Sequence, residues 1–250
     1  MNLQQYFSAH PRGALAFSGG SDSAYLLWAA LESGAEVRPF FIDTPFQPRW
    51  ERQGAEVLCQ SLGVPLTVLE ADPLSCPEIR ANPTNRCYYC KRLLFTTLRR
   101  GAAAAGFSLL WEGTNASDDA NDRPGMRALA ELEVESPLRL CGLTKAEIRR
   151  RSREAGLPTW DKPSYACLAT RFPTGRVITP ADLARVETGE QALMALGFSD
   201  LRLRLRDWGA LLQLPGEQQP DARRRWGEIT EALGPLFPEV RLDAAARHSD

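Results

Sequence analysis

Ala14-Leu15-Ala16-Phe17-Ser18-Gly19-Gly20-Ser21-Asp22-Ser23, followed by Ala24-Tyr25-Leu26-Leu27-Trp28-Ala29-Ala30-Leu31, reads as a short apolar strand, a tight glycine-serine turn and a helix. Glycines let a backbone come close to a ligand, and the N–H groups of a first helical turn point outward at it. Successive N–H groups in such a turn also form a concave nest for phosphate oxygens. A serine-rich turn with Asp22 as an ordinary N-cap is the plainer account. Six residues of fixed type at one strand–helix junction favour phosphate. The turn has no lysine where G-x-x-x-x-G-K-S/T places one, and it is not G-x-G-x-x-G.

Outward from the turn, Glu36 to Asp43 supplies a second strand, in which Pro39 suits an edge position. Residues 48–62 have helical spacing, Gly63-Val64-Pro65 breaks it, and 66–70 make a third strand. This βαβαβ order predicts an α/β fold, a parallel doubly wound sheet with helices on both faces. Ligands of such sheets bind beyond the carboxyl ends of the strands, where the Ser18 turn lies. A helix is expected over 91–105 and a strand over 108–112, running into Gly113-Thr114-Asn115-Ala116-Ser117-Asp118 at the same sheet edge. Residues 143–155 read as a basic helix with Thr144 and Glu147 as a capping box. Beyond Val177 the pattern changes to a helix over 180–196 and a strand, Leu201 to Arg206, with one leucine face and one arginine face. A hairpin partner at 210–214, a charged helix over 217–233 and a strand at 239–242 follow. The expected domains are 1–176 and a small α+β domain, 177–250.

The chain has 250 residues, 44% of them hydrophobic and 24% charged, as in a globular protein. A net charge of -1 gives no global attraction to nucleic acid or to a membrane surface. No apolar run has membrane-spanning length, and residues 1–6 lack a leader signature, so a cytoplasmic location is expected. Six cysteines there read as thiols, metal ligands or reactive groups. Cys87 and Cys90 form a C-x-x-C before a helix, and Cys167 stands much further on. Three chemistries compete. One is a redox dithiol at a helix N-terminus. Another is a zinc site that borrows a fourth ligand from Cys59, Cys76, Cys141, His10 or His248. An iron–sulfur cluster held by three cysteines with one open iron fits the count best.

The turn resembles the SGGxDS loop of the PP-loop ATPases (adenine nucleotide alpha hydrolase-like proteins), which cleave ATP between the α- and β-phosphates and adenylate their substrates. NPTNRCYYCKRLLF (82–95), WEGTNASDD (111–119), SPLRLCGLTKAEIR (136–149) and GLPTWDKPSYACLATRFPTG (156–175) are similar, in order, to signatures of the LarE family. Those proteins are ATP-dependent sulfur transferases in synthesis of the nickel-pincer nucleotide cofactor, acting on pyridinium-3,5-biscarboxylic acid mononucleotide. The resemblance implies that Ser18, Gly19, Gly20, Ser21, Asp22 and Ser23 cradle the ATP phosphates and that Asp22 positions Mg²⁺. It implies that Phe41, Ile42 and Asp43 meet the adenosine and that Gly113, Asn115 and Asp118 line the nucleotide side. Lys91, Arg123, Arg127 and Arg171 become candidate anion clamps. Cys87, Cys90 and Cys167 would hold a 4Fe-4S cluster whose open iron carries sulfide, the alternative in this family being a single cysteine that gives up its own sulfur. Arg202 and Arg204 keep the family's Arg-x-Arg strand for the substrate phosphate, with Leu205 and Arg206 where histidines usually follow. The implied partners are a small nucleotide substrate, sulfide or another sulfur donor, and further copies of the chain. An ATP-dependent amide synthetase would share the turn without needing the cysteines. A tRNA thiolation enzyme would share the chemistry but need a basic face.

Overall fold

Four strands pair in parallel in the order β3-β2-β1-β4: β1 (Arg12–Ala16), β2 (Glu36–Asp43), β3 (Thr67–Glu70) and β4 (Leu110–Trp111). They belong to a computed structural model that describes residues 1–118 and 123–247, the side chains of Arg123 and Pro124 excepted. Alternation of side chains along β1 and β2 sets the layers. Leu15, Phe17 and Phe41 enter one core, together with α1 (Leu3–Ala9), α2 (Ser21–Glu32) and α3 (Arg49–Ser61). Ala14, Phe40 and Ile42 enter a second, against Leu98 and Ala102. Helices therefore cover both faces, and the doubly wound α/β sheet read from the sequence is the one observed.

The chain packs as two units, one of residues 1–44, 49–73 and 85–162, the other of 45–48, 74–84 and 163 onward. The first holds the parallel sheet. The second contains the single turn α4 (Pro77–Arg80) and a separate sheet described below. Also in the first unit are α5 (Arg86–Ala104), α6 (Arg123–Glu131), the single turn α7 (Pro137–Leu140) and α8 (Lys145–Glu154).

Pro39 is not on an edge strand. β2 lies between β1 and β3, with Leu15 as the β1 partner of Pro39. The Phe40 carbonyl accepts the Phe17 N–H of the β1 side at 2.8 Å, so Pro39 faces β3, where pairing begins only at Phe40 and Thr67. Its missing donor costs the ladder nothing there. A second difference concerns α5, which starts at Arg86 with Asn85 as N-cap. The C-x-x-C therefore lies within the first helical turns, where an i,i+3 pair shares one face.

In the second unit β5 (Arg202–Arg206) pairs antiparallel with β6 (Gly209–Gln213), which pairs in parallel with β7 (Val240–Leu242). Leu203 and Leu205 are buried, as the alternating pattern requires. So are Leu183, Val186 and Leu193 of α9 (Pro180–Ala195). The single charged helix expected over 217–233 is two, α10 (Gln219–Arg224) and α11 (Trp226–Leu233), broken at Arg225. Among the described residues no helix is long and apolar enough to cross a membrane.

Candidate functional site

The turn after β1 is built to present backbone donors. Gly19 has φ +71, a conformation L side chains rarely adopt, and a Cβ there would lie 3.2 Å from the Ala55 Cβ. Gly20 is extended and caps α2 without a side-chain bond of its own, its N–H reaching only back to Ser18 Oγ at 3.4 Å, so the N–H groups of the turns that follow face outward. Ser18 Oγ and Ser23 Oγ lie 3.1 Å apart across the turn. Gly113, at the end of β4, allows a close approach: a Cβ there would stand 3.1 Å from the Ser23 nitrogen. Two strand ends thus meet at one helix N-terminus.

Asp22 and two lysines organise this end of the sheet. The Asp22 Oδ2 accepts from Lys145 Nζ at 2.8 Å and from Asn115 Nδ2 at 3.4 Å. Lys145 also donates to Ser21 Oγ at 2.9 Å. Asp22 Oδ1 is buried with no hydrogen-bond partner among the described residues. An unsatisfied buried carboxylate oxygen is costly, and a hard divalent cation is the partner that suits it, so the donor set here fits Mg²⁺. Lys162 Nζ donates to the Gly19 carbonyl at 3.0 Å and to Glu51 at 2.8 Å, tying the turn to α3. Neither lysine is legible as part of the turn from local sequence, because they stand 123 and 143 residues beyond their partners. The available signal is that both fall inside segments that resemble one family in order.

The 113–118 loop is fixed by its own polar groups. Asn115 is buried; its N–H donates to Asp118 at 2.7 Å, and its side-chain oxygen accepts from the Ser117 N–H at 2.7 Å. Ser117 Oγ accepts the Lys145 N–H at 3.0 Å, joining this loop to the start of α8. Thr144 caps α8, but Glu147 is engaged by Arg150 and Arg151. Beside the loop, buried Glu112 accepts from Thr114 N and Oγ1 at 3.0 and 2.7 Å and from Ser136. Burial raises its pKa, against the opposing pull of those bonds and of Lys91. A carboxylate raised in the folded state contributes stability below its unfolded value that is lost as pH rises through its folded value. Glu112→Gln is therefore expected to gain stability relative to the parent chain as pH rises from about 4.3, the ordinary glutamate value. Thermal unfolding across pH reads this, and a gap that stays flat contradicts it.

Of the residues expected at the adenosine, Phe41 and Ile42 bury their side chains in opposite cores, so only their backbone borders the sheet edge. Asp43 is half-exposed and paired with Arg52 at 2.6 Å. Among the expected clamps, Arg127 is exposed, pairs with Glu131 at 3.4 Å and lies 3.9 Å from the centre of the Tyr88 ring. The side chain of Arg123 and the whole of His248 lie outside the described residues.

None of the six cysteines is in a disulfide. Cys59 is buried, which pushes its thiol up to about 12 and leaves it inert. Burial also raises Cys141, and Cys76 donates to Glu78 at 3.1 Å. Cys87 is exposed, 3.8 Å from an Arg86 nitrogen, and Cys90 is half-buried. Among the described residues no three His, Cys, Asp or Glu side chains stand together as a metal-holding group. Three thiols outside any disulfide still match the donor type and number of a cluster with one open iron.

In the second unit Cys167 opens a single 3₁₀ turn, Leu168–Arg171. Arg171, expected as a clamp, is instead fully buried in that turn's support. It bonds Glu190 through Nε at 2.8 Å and Nη2 at 3.1 Å, and through Nη1 the Ala166 carbonyl and Thr170 Oγ1, both at 2.9 Å. Burial works against its charge, but Glu190 more than offsets this and the net shift is upward. Glu190 also accepts from Tyr165 and from the Leu203 N–H at 2.8 Å. Arg204 of β5 donates to the Thr170 carbonyl at 2.9 Å, which sets the arginine face of the strand against the Cys167 turn. Burial and the charges of Arg171, Arg206 and Arg247 lower its pKa, with Asp243 opposing. Such crowded cations are relieved by an anion. Arg202 shares that face of β5.

Sheet and turn together define an α/β protein with the fold expected of PP-loop ATPases. No family model matches the chain. It is 36% identical over 218 residues to an uncharacterised protein of Synechocystis sp., covering 87% of this chain and 81% of that one. It is 30% identical over 206 residues to the pyridinium-3,5-bisthiocarboxylic acid mononucleotide synthase of Lactiplantibacillus plantarum, covering 82% and 75%. An uncharacterised protein of Methanocaldococcus jannaschii is 30% identical over 207 residues, covering 83% and 78%. The chain belongs to the family of that synthase, the LarE family.

Proposed function

We propose that this chain is an ATP-dependent sulfur transferase acting on pyridinium-3,5-biscarboxylic acid mononucleotide. It adenylates a carboxylate, releases pyrophosphate, and then exchanges AMP for sulfur. The observation that carries the reading is the uncapped start of α2, with one Asp22 oxygen unpartnered beside two lysines and a serine-lined turn. That arrangement suits a magnesium-bound polyphosphate.

A free carboxylate has no usable leaving group, and AMP provides one. The turn and α2 hold the β- and γ-phosphates, Asp22 holds Mg²⁺, and the backbone at Phe41, Ile42 and Asp43, with Gly113, Asn115 and Asp118, borders the nucleoside. Arg204 and Arg202 hold the phosphate of the substrate nucleotide. Cys87, Cys90 and Cys167 would ligate a 4Fe-4S cluster, which when bound supplies a sulfide at its open iron. Arg171, Tyr165 and Glu190 keep the Cys167 turn in shape. The lack of any use for three cysteines sets the amide synthetase reading behind this one.

Two measurements test it. With ATP, Mg²⁺ and the biscarboxylic mononucleotide, AMP and pyrophosphate should appear only when the mononucleotide is present, and mass spectrometry should find a thiocarboxylate. ADP and phosphate as products would overturn it. Anaerobic reconstitution with iron and sulfide should give about four irons per chain, falling on replacement of any of Cys87, Cys90 or Cys167. Fewer than about three in the parent chain would remove the cluster.

A further inference from the structure

A cavity of about 440 Å³ opens at the β7 edge of the second unit's sheet, a size that takes a small-molecule ligand. Arg223 of α10, Trp226 of α11 and Leu242, Asp243 and Ala244 at the end of β7 line it. Its two charged groups are fixed by amides. Buried Gln219 accepts from Arg223 Nη2 at 2.9 Å and donates to the Asp243 carbonyl at 3.3 Å. Gln213 donates to Asp243 Oδ2 at 2.7 Å and accepts from Arg204 Nε. Asp243 Oδ1 accepts the Ala245 N–H at 3.1 Å. Glutamine side chains and a backbone N–H carry no charge, so none of these bonds neutralises the guanidinium or the carboxylate. Trp226 is half-buried and adds an aromatic surface. An indole with one anion and one cation beside it matches a planar aromatic cation that carries an anionic group. Aromatic faces attract cations, and a guanidinium takes phosphate through parallel bonds. An uncharged base such as adenine would leave the carboxylate without a counter-charge.

We propose that this cavity is a second, regulatory site for a pyridinium mononucleotide, with its ring on Trp226 beside Asp243 and its phosphate on Arg223. The aromatic-cation class rests on the lining, and the choice of a nucleotide of the reaction rests on the proposed function. The site acts through Asp243. A cationic ring beside that carboxylate competes with Gln213 for Oδ2, and the Gln213 amide then loses one of its two anchors. Arg204, which Gln213 aligns and which also bonds the Thr170 carbonyl, loses that alignment in turn. Filling the cavity therefore weakens the hold on the substrate phosphate at Arg204. By linkage, substrate held at Arg204 weakens the cavity by the same factor. A product that keeps the ring and the phosphate restrains its own synthesis in this way.

Calorimetric titration of the full chain with the biscarboxylic mononucleotide should show two sites per chain. Arg223→Gln, a change at an exposed position, and Trp226→Ala should each weaken the same one of them at least about tenfold, the worth of one charge-assisted hydrogen bond. The rate of AMP formation at low substrate should stay within about twofold in both. The parent's rate should rise with substrate less steeply than a hyperbola, and Arg223→Gln should restore the hyperbola. In Arg204→Gln the cavity is left to be read by itself, and the bisthiocarboxylic product should fill it as the substrate does. A cavity that takes the substrate and refuses the product overturns the feedback role. A single site in the parent, or a second site untouched by Arg223→Gln and Trp226→Ala, overturns the proposal; AMP and pyrophosphate formed by that same chain leave the proposed function standing. Two sites in a chain that forms no AMP support the cavity and overturn the proposed function.

Discussion

Cys167→Ala should stop formation of the thiocarboxylate while ATP is still cleaved to AMP and pyrophosphate. Removing a group that acts directly in the chemistry costs on the order of 10³-fold or more, so product should fall to background. In the proposed mechanism adenylation would draw on the turn and Asp22, both in the first unit, whereas Cys167 lies in the second. A clean separation of the two half-reactions is therefore expected, read by pyrophosphate release against mass-spectrometric product. Cys87→Ala and Cys90→Ala distinguish the two sulfur chemistries. A three-thiolate site loses product in each variant. A Cys167 that gives up its own sulfur keeps one turnover in both. Cys76→Ala serves as a control, its thiol donating to Glu78 at 3.1 Å. If Cys167→Ala retained thiocarboxylate formation, neither sulfur chemistry would hold.

Glu190→Gln should be the most destabilising conservative change in the chain. The Arg171–Glu190 pair has essentially no solvent exposure on either side chain, and Glu190 also satisfies Tyr165 and the Leu203 N–H. Removing one partner of a buried pair leaves an uncompensated charge and costs about 3–5 kcal/mol. The paired change Arg171→Met with Glu190→Leu removes both charges and should recover part of that loss, as apolar replacements of buried ion pairs often do. Recovery stays incomplete, because the orphaned Leu203 N–H costs about 1–3 kcal/mol. Chemical denaturation of these two variants beside the parent chain reads both changes. A loss under about 1 kcal/mol for Glu190→Gln would contradict the reading of this pair as the support of the Cys167 turn.

The parts of the fold written in local pattern were legible. Both limits of β2 follow from its apolar run between polar ends, and the helix after the glycine-serine turn is legible too, although it starts at Ser21 on a Gly20 cap and not at Ala24. What failed needed partners that the chain supplies at long range. Pro39 looks like an edge residue until one sees that β3 starts late enough to leave its nitrogen without a ladder partner. Arg171 and Arg127 look alike in sequence, yet one is buried against Glu190 and the other is exposed beside Tyr88. Nothing within a few residues of either separates them. The same holds for Lys145 and Lys162, whose acceptors lie on the far side of two crossovers. The arginine face of β5 was visible as a period-two pattern, but its neighbour, the Thr170 carbonyl of the Cys167 turn, was not.

Activation of the substrate carboxylate through its own oxygen is the central claim, and positional labelling tests it most directly. The biscarboxylic mononucleotide is prepared with ¹⁸O in its carboxylates and turned over with unlabelled ATP. If the carboxylate attacks the α-phosphorus and sulfur then expels AMP, each AMP formed carries one ¹⁸O in its phosphate and pyrophosphate carries none. Unlabelled AMP accompanying thiocarboxylate would contradict the account.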